Sequence, residues 1–229
     1  MKNKSNLIKP SIYLLIGLFV CININAQGKD PLIVKTIPYN LKVFNNPLDL
    51  KIKGDSIIEI TSTGKTNLFN SPNGNYSVKN APMVLFKPDS NFIISAKITA
   101  KLKEVYDVAS LVVYQDDNLW AKLCFENSVN KETTVVSVVT RNLSDDCNSV
   151  KISEDYVYFL IAKKGDEFSF HYSTDKIKWE LIRHFSLKCD TKKLMIGFAA
   201  HCSKGEKFTA EFSDIYYSKD TLKKMRTYY

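Results

Sequence analysis

The sequence predicts an all-β protein that folds as an antiparallel sandwich or barrel. Apolar residues recur at every second position in many short segments, turn-forming residues separate these segments, and no segment shows the periodicity of an amphipathic helix. Ten or more short strands at such spacing are typical of antiparallel sandwiches and barrels. The 229-residue chain has 45% hydrophobic and 24% charged residues, a composition that excludes wholesale disorder and fibrous repeats.

The clearest strand is predicted over residues 92–103. Apolar side chains occupy every second position from Phe92 to Leu102, and mostly polar side chains stand between them. Because side chains alternate across a strand, this pattern indicates one buried and one exposed face. The same reasoning predicts nine more strands, at Ile57–Ser62, Val108–Gln115, Leu119–Glu126, Thr133–Arg141, Tyr156–Lys163, Glu167–Ser173, Lys178–Phe185, Leu194–Cys202 and Phe208–Tyr217.

Turn-forming clusters separate the predicted strands, and no linker interrupts residues 28–217. We therefore predict one β domain over residues 27–217, the size of a single sandwich. A short basic tail over residues 218–229 follows it and is expected to fray or to form one helical turn. The loop cluster from Asn70 to Asn75 is long enough to contribute to the rim of a site.

Residues 1–26 have the pattern of a secretory signal peptide. Three lysines flank the start of an apolar run over residues 12–22, and Ala26 is the small residue that signal peptidase requires. The run is too short for a stable membrane-spanning helix, which needs about 20 residues. We expect cleavage after Ala26, a secreted or periplasmic protein, and no stable membrane insertion afterwards. A lipoprotein anchored at Cys21 is a less favoured alternative, because no small residue stands directly before that cysteine.

The positive charge does not point to nucleic acid. The chain has 32 Lys+Arg against 24 Asp+Glu, a net charge of +8, and loss of the three lysines in residues 1–26 lowers it to +5. The remaining lysines are spread along outward strand faces and turns and form no concentrated basic stripe. We therefore expect no nucleic-acid partner.

Neither the cysteines nor the histidines predict a metal or redox centre. Four cysteines follow the predicted signal peptide, and their spacing allows three disulfide pairings or free buried thiols. They are Cys124, Cys147, Cys189 and Cys202. No C-x-x-C, H-x-H or H-E-x-x-H spacing occurs, and no phosphate-binding or dinucleotide-binding fingerprint is present. We expect no metal and no cofactor.

The predicted strand at Leu119–Glu126 carries the most informative polar pattern. If Leu123 faces the core, then Trp120, Lys122, Cys124 and Glu126 share the other face. An aromatic ring, a cation and a carboxylate on one face suit a sugar site, in which the ring stacks on the sugar and the charged groups bond its hydroxyls. The alternative is a Lys122–Glu126 pair with Trp120 covered by a loop.

Further polar residues stand near the ends of neighbouring strands. Arg141 and Asp145 either form an ion pair that closes a strand end or both face a ligand. Tyr106 and Asp107 begin another strand, and sheet pairing could bring Asp107 beside Glu126. Two carboxylates about 5–9 Å apart suffice for glycoside hydrolysis, so an enzyme would use Glu126 and Asp107 as catalytic residues. No second carboxylate is convincingly placed opposite Glu126, and we therefore favour binding over catalysis.

Several sequence blocks, in this order, resemble a known family. They include Lys65-Thr66-Asn67-Leu68-Phe69, Asn80–Val84, Phe92–Ile98, Tyr106–Tyr114, Trp120–Glu126, Ser137–Arg141, Ser144-Asp145, His171–Asp175 and Ile196–Ala200. The blocks are similar to those of the family of unknown function sometimes labelled "regulation of enolase protein 1", over about residues 60–217. The resemblance implies a concanavalin A-like lectin/glucanase jelly roll of two curved antiparallel sheets. It also implies that the family's polar signature lines the concave sheet at Tyr106, Asp107, Trp120, Lys122, Glu126, Thr140, Arg141, Ser144 and Asp145.

The sequence therefore predicts an exported, lectin-like carbohydrate-binding module that recognises a poly- or oligosaccharide on the concave sheet face. The mildly basic composition gives acidic glycans a small preference. One alternative is a glycoside hydrolase or lyase with Glu126 as its acid/base. The other alternative is a non-catalytic protein-interaction or envelope domain.

Overall fold

The computed structural model describes residues 32–228, which fold into β-strands joined by turns and loops. The strands are β1 (Lys42–Phe44), β2 (Asp49–Lys53), β3 (Ile57–Thr63), β4 (Leu68–Asn70), β5 (Ser77–Lys79), β6 (Met83–Phe86), β7 (Phe92–Ala100), β8 (Asp107–Asp116), β9 (Leu119–Asn127), β10 (Thr133–Arg141), β11 (Leu143–Lys151), β12 (Tyr156–Lys164), β13 (Glu167–Ser173), β14 (Glu180–Ser186), β15 (Met195–Cys202) and β16 (Lys207–Ser218).

Two seven-stranded antiparallel sheets form a sandwich. The strand order is β1-β6-β15-β8-β9-β10-β11 in the first sheet and β14-β13-β12-β7-β16-β3-β2 in the second sheet. Strands β4 and β5 pair only with each other and form a separate hairpin. The prediction of an all-β sandwich of two antiparallel sheets is confirmed.

The two sheets bury one apolar core between them. On β9, Ala121, Leu123 and Phe125 belong to this core, whereas Trp120 and Cys124 belong to a second apolar cluster on the outer face of the first sheet. Successive side chains of a strand point to opposite faces, so the alternation that predicts the strand also predicts which side chains lie between the sheets. The face assignment made from the sequence of β9 is confirmed.

All ten strands predicted from alternation are present, with ends that differ by a few residues. Strands β10 and β13 agree with the prediction at both ends. Strand β7 ends at Ala100 rather than at Lys103, because the chain then enters the turn that leads to β8. Six further strands were not predicted: β1, β2, β4, β5 and β6 have only three to five residues, and the nine residues of β11 are mostly polar.

The C-terminal segment, residues 219–228, packs on the outer face of the second sheet. Leu222 and Met225 are buried there, and the ring of Tyr228 lies 5.5 Å from the ring of Trp179. Nε2 of His171 lies 3.2 Å from the carbonyl oxygen of Met225. The prediction of a frayed tail or a single helical turn was wrong, because these apolar residues cover an apolar patch that only the assembled sheet provides.

The predicted signal peptide, its cleavage site after Ala26 and the alternative anchor Cys21 lie outside the described residues. Residues 32–228 contain no helix that is long and apolar enough to cross a membrane. The four cysteines in this part of the chain are free thiols, so none of the three disulfide pairings is present.

Candidate functional site

A cleft of about 330 Å³ opens on the outer face of the first sheet. Strands β8 to β11 and β15 form its floor, and the β4–β5 hairpin forms one wall. Three aromatic rings, two carboxylates, two lysines and one histidine line the cleft: Phe69, Tyr76, Tyr106, Glu126, Asp146, Lys122, Lys204 and His201. Apolar ring faces and hydrogen-bonding groups therefore share one concave site.

The β4–β5 hairpin is fixed over the sheet by Asn70. Its backbone amide donates to Oγ of Ser144 at 3.0 Å, and its side-chain amide donates to the carbonyls of Asn142 and Asp117 at 2.8 and 3.1 Å. Oγ of Ser144 also lies 2.8 Å from Oγ1 of Thr140. Thr140 and Ser144, both buried, thus hold the hairpin in place, and the hairpin closes one side of the cleft.

Strand register brings four titratable side chains to the same face. Lys122 on β9 and Asp146 on β11 are aligned across β10, and Glu126 on β9 and His201 on β15 are aligned across β8. Residues directly opposite each other in a sheet point to the same face. Lys122 and Glu126 also share a face, because they are four positions apart along the strand.

Lys122 is a buried cation without a polar partner. The residue is 3% exposed and lines the cleft, and among residues 32–228 its Nζ has no hydrogen bond and no carboxylate within 4.0 Å. The ammonium lies 5.7 Å from the ring centroid of Trp120, which gives it a weak cation–π contact. The ammonium of Lys122 is therefore a hydrogen-bond donor that is open to the cleft.

Glu126 is a carboxyl group that stays partly protonated near neutral pH. Burial raises its pKa from 4.5 to about 7, the nearby ammonium of Lys122 lowers it, and the carboxylate of Asp146 raises it. Desolvation is the largest of these effects, because few water molecules reach the partly buried carboxyl group. Glu126 is therefore able to donate a proton or accept one within the physiological pH range.

His201 is a neutral imidazole at the inner end of the cleft. Burial, with a smaller effect of the Lys122 ammonium, holds its pKa well below the usual value of 6.5. Its Nδ1 is buried and has no hydrogen-bond partner. Within residues 32–228, no three or more His, Cys, Asp or Glu side chains are arranged to hold a metal ion.

Two tyrosines form the rim of the cleft. The side chain of Tyr76, on the hairpin, is 48% exposed. Tyr106 stands before β8 with a backbone φ of 66°, a left-handed conformation that bulky residues seldom adopt. Its amide donates to the carbonyl of Asn127 at 2.8 Å, and its carbonyl accepts from the amide of Ser203 at 3.3 Å. Such constrained backbone clusters at ligand-binding sites, and here it fixes the position of a ring at the rim.

Trp120 lies beneath the hairpin and presents no ring face to a ligand. Its side chain is fully buried in an apolar cluster with Leu68 of the hairpin, and its Nε1 has no hydrogen-bond partner. The prediction that Trp120 stacks on a sugar ring is therefore corrected, because a hairpin too short to predict covers it. The alternative predicted a covered Trp120 together with a Lys122–Glu126 pair. Trp120 is covered, but Lys122 and Glu126 form no ion pair.

Asp107 lies on the face of β8 that points away from the cleft. Its Oδ2 accepts hydrogen bonds from the amides of Lys103 and Glu104 at 3.1 and 2.9 Å, which stabilises the turn before β8. Val108, rather than Asp107, is aligned with Glu126. The predicted carboxylate pair of Asp107 and Glu126 is therefore wrong, and so is the catalytic role that this pair gave to Asp107.

Arg141 and Asp145 do not bond to each other, and neither lines the cleft. Arg141 donates to the carbonyl of Ser186, and Oδ2 of Asp145 forms a 3.0 Å ion pair with Arg183. The predicted Arg141–Asp145 pair is corrected by the register of the hairpin, in which Arg141 faces Leu143 and Asp145 lies further along β11. Arg141 therefore links the first sheet to the last residue of β14, and Asp145 links it to the middle of β14.

Asp146, His201 and Tyr76 line the cleft but were not among the predicted site residues. The position of Asp146 is explained by the pairing of β10 with β11. This pairing aligns Ser144 with Thr140, and Asp146, two positions further along β11, points to the same face. The alternation of β15 would have placed His201 on the face opposite the core. Only the position of the hairpin brings Tyr76 to the site.

Comparisons with known proteins bear on the fold. A comparison with curated protein sequences gives no match. Among solved structures, a functionally unknown protein from Saccharomyces cerevisiae has a TM-score of 0.71 and 16% identity, and the match covers 80% of this chain and 97% of that chain. The carbohydrate-binding module CBM66 from Bacillus subtilis has a TM-score of 0.51 and 11% identity, with 82% of this chain and 99% of that chain covered.

A third similar structure is the GH43 protein BlXynB from Bacillus licheniformis, with a TM-score of 0.59 and 15% identity. The match covers 76% of this chain but 36% of that chain, so this chain spans about a third of its length. At such identities the likeness shows the shared β-sandwich fold alone. A family profile described as "Protein of unknown function (DUF1349)" matches residues 43–220, which is most of the chain. The chain therefore belongs to the DUF1349 family.

Proposed function

We propose that this protein binds carbohydrate and that the cleft on the outer face of the first sheet holds the saccharide. The observation that carries the proposal is the exposed ring of Tyr76 in one cleft with the ammonium of Lys122 and the imidazole of His201. A sugar ring has one apolar face and a periphery of hydroxyls, so a site for it needs an aromatic surface beside hydrogen-bonding groups.

The size of the cleft favours a small part of a glycan. Its volume of about 330 Å³ is near the lower limit for small-molecule sites, which is about 300 Å³. We therefore propose that the cleft takes one or two sugar units, such as a chain end, rather than a long polysaccharide segment. CBM66, a carbohydrate-binding module with the same fold, supports this proposal by analogy of fold alone.

The test is a glycan array followed by calorimetric titration with the best ligand, using residues 27–229. We expect Tyr76→Ala to lower the affinity about two- to tenfold, because a stacked ring contributes about 0.5–1.5 kcal/mol. Tyr216→Ala is the matched control, since Tyr216 is 49% exposed but lies on the second sheet. Absence of binding across the array, or equal affinities for the two variants, would overturn the proposal.

Glycoside hydrolysis is the second candidate, because Glu126 has a pKa of about 7, suited to a general acid. The second carboxylate of the cleft, Asp146, is two strands away and four residues along, which puts the two Cα atoms about 17 Å apart in a flat sheet. Because the two residues are not cross-strand neighbours, their carboxyl groups reach the roughly 5–9 Å that hydrolysis requires only if both side chains lean toward each other, and this favours binding. Release of reducing sugar by the wild type and its loss in Glu126→Gln would establish the hydrolase instead.

We also propose that the protein is exported after cleavage behind Ala26. The charged start, the short apolar run and the small residue at the cleavage site support this proposal. Expression of the full chain in a bacterial host and mass spectrometry of the mature protein provide the test, with Gln27 as the expected first residue. A mature chain that begins at a lipid-modified Cys21 would replace this proposal with the lipoprotein alternative.

A further inference from the structure

The cleft contains an ammonium group whose charge nothing in the described structure neutralises by direct contact. Lys122 is buried, its Nζ faces the cleft, and no oxygen of residues 32–228 accepts a hydrogen bond from it. Because Lys122 lines the cleft, its ammonium is open to solvent there, and a ligand that displaces this water must bring its own acceptor to avoid a desolvation penalty. The ammonium attracts a carboxylate by charge as well as by hydrogen bonding, whereas a neutral hydroxyl offers the hydrogen bond alone.

The other groups that face the cleft leave room for a negative charge. Lys204, on the loop after β15, adds a second cation, and His201 on β15 is neutral. Asp146 on β11 contributes one carboxylate, and Glu126 on β9 is largely protonated below a pH of about 7. In mildly acidic solution the cleft therefore has two cations and one full anion.

We propose that the saccharide is acidic and that its carboxylate binds Nζ of Lys122 in the cleft. This inference rests on the proposed carbohydrate-binding function and names the chemical class of the ligand. The carboxylate accepts hydrogen bonds from the ammonium, and the protonated carboxyl group of Glu126 is available as a further donor.

Binding of an acidic sugar is then coupled to protonation. When Glu126 ionises, two carboxylates share the cleft with the ligand, and the added repulsion weakens binding of an anion. Affinity for an acidic sugar therefore falls as the pH rises through about 7, whereas affinity for a neutral sugar changes less. The other acidic and basic side chains that face the cleft are Lys122 on β9, Asp146 on β11, His201 on β15 and Lys204 on the loop after β15, and burial keeps the pKa of His201 well below 6.5.

The experiment compares sugars that differ only at C6. Calorimetric titrations at about pH 6 use glucose with glucuronate, galactose with galacturonate, and mannose with mannuronate. We expect one uronate to bind at least about tenfold more tightly than its neutral partner, and this ratio to shrink at about pH 8. In Glu126→Gln we expect the ratio to lose most of its dependence on pH.

Lys122→Met isolates the charge, since methionine keeps an unbranched apolar side chain. We expect it to lower the uronate affinity at least about tenfold and to leave the affinity for the neutral sugar within about twofold. Lys97→Met is the matched control, because Lys97 also lies over an aromatic ring, 4.2 Å from the centroid of Tyr156, but on the second sheet. It should change neither affinity.

The outcomes separate this inference from the function on which it rests. Equal affinities for the members of each pair, or an equal loss for both sugars in Lys122→Met, would overturn the acidic ligand and leave carbohydrate binding intact. If no member of any pair binds and the glycan array is also negative, the proposed function itself fails. Tight uronate binding that Lys122→Met does not weaken would assign the carboxylate to another group and would also overturn the inference.

Discussion

Two buried lysines, one in each sheet, show how differently the two halves of the sandwich use the same side chain. Lys163 on β12 and Lys122 on β9 are both 3% exposed. Nζ of Lys163 donates to the carbonyl of Ser90 at 2.7 Å and to the carbonyl of Gly165, so its hydrogen bonds are made within the fold. Nζ of Lys122 has no such acceptor among residues 32–228. Lys163 therefore donates its hydrogen bonds within the fold, whereas the ammonium of Lys122 is available to a ligand in the cleft.

The outer faces of the two sheets differ in the same way. Residues 219–228 cover the apolar patch on the second sheet, and the contacts of Leu222 and Met225 leave it closed. The β4–β5 hairpin covers part of the first sheet, including Trp120, but stops short of Lys122 and Glu126. The uncovered region of the first sheet is therefore where polar side chains remain open to a cleft.

The largest effect is expected from Trp120→Ala. Because the ring is fully buried under the hairpin, its removal leaves a cavity and should lower the free energy of unfolding by about 3–5 kcal/mol. Tyr76→Ala, at the exposed rim, should change it by less than about 0.5 kcal/mol. Urea unfolding followed by circular dichroism measures both. An unchanged stability in Trp120→Ala would contradict its placement beneath the hairpin and reopen its role as a sugar-stacking residue.

A smaller effect should distinguish the two lysines. Lys163→Met leaves the carbonyls of Ser90 and Gly165 without a donor and should lower the free energy of unfolding by about 2–3 kcal/mol. Lys122→Met removes a buried charge that has no hydrogen bond to lose, so stability should change by less than about 1 kcal/mol or increase. Denaturant midpoints at low salt provide the measurement. A loss in Lys122→Met as large as that in Lys163→Met would mean that Lys122 is structural.

The smallest effect concerns the pH dependence of stability in Glu126→Gln. The pKa of Glu126 is raised from 4.5 to about 7 in the folded protein, so the folded state binds the proton more tightly than the unfolded state does. Its contribution is fully present below pH 4.5 and is lost as the pH rises through about 7. Glu126→Gln should therefore be more stable than the wild type at about pH 8, by about 1–3 kcal/mol, and nearly equal to it at about pH 4.5.

Thermal unfolding at both pH values tests this expectation. A Gln variant that is less stable than the wild type at the higher pH would show that the fold stabilises the ionised carboxylate. This result would contradict the raised pKa of Glu126.

The prediction of the strands depended on the length of their alternating patterns. Strands β7, β9 and β10 each have nine residues, long enough for the two-residue period to be read and for the core face to be assigned. The three-residue strands of the β4–β5 hairpin carry no such period. Since that hairpin decides that Trp120 is covered and Tyr76 is exposed, the sequence predicted the face of the site but assigned its aromatic contact to the wrong residue.

The predicted site residues that line the cleft are mainly those whose strand face the sequence pattern defined clearly. Lys122 and Glu126 lie on a well-defined strand and do line the cleft, as does Tyr106 beside it. Asp107, Arg141 and Asp145 stand at strand ends, where a shift of one residue reverses the face, and all three point elsewhere. Thr140 and Ser144 face the correct side but act through the hairpin. The acidic glycan, the exported location and the label "regulation of enolase protein 1" stay predictions.

By itself, the sequence determined the all-β class, the longer strands and the inward or outward direction of their side chains, because a strand's period is a local property of the chain. The tertiary structure decided which strands are neighbours, where the short hairpin and the C-terminal segment lie, and therefore which polar groups remain uncovered. Those outcomes depend on contacts between residues far apart in the chain, such as Asn70 with Ser144 and His171 with Met225. Lys122 is open toward the cleft because no distant segment within residues 32–228 packs over it.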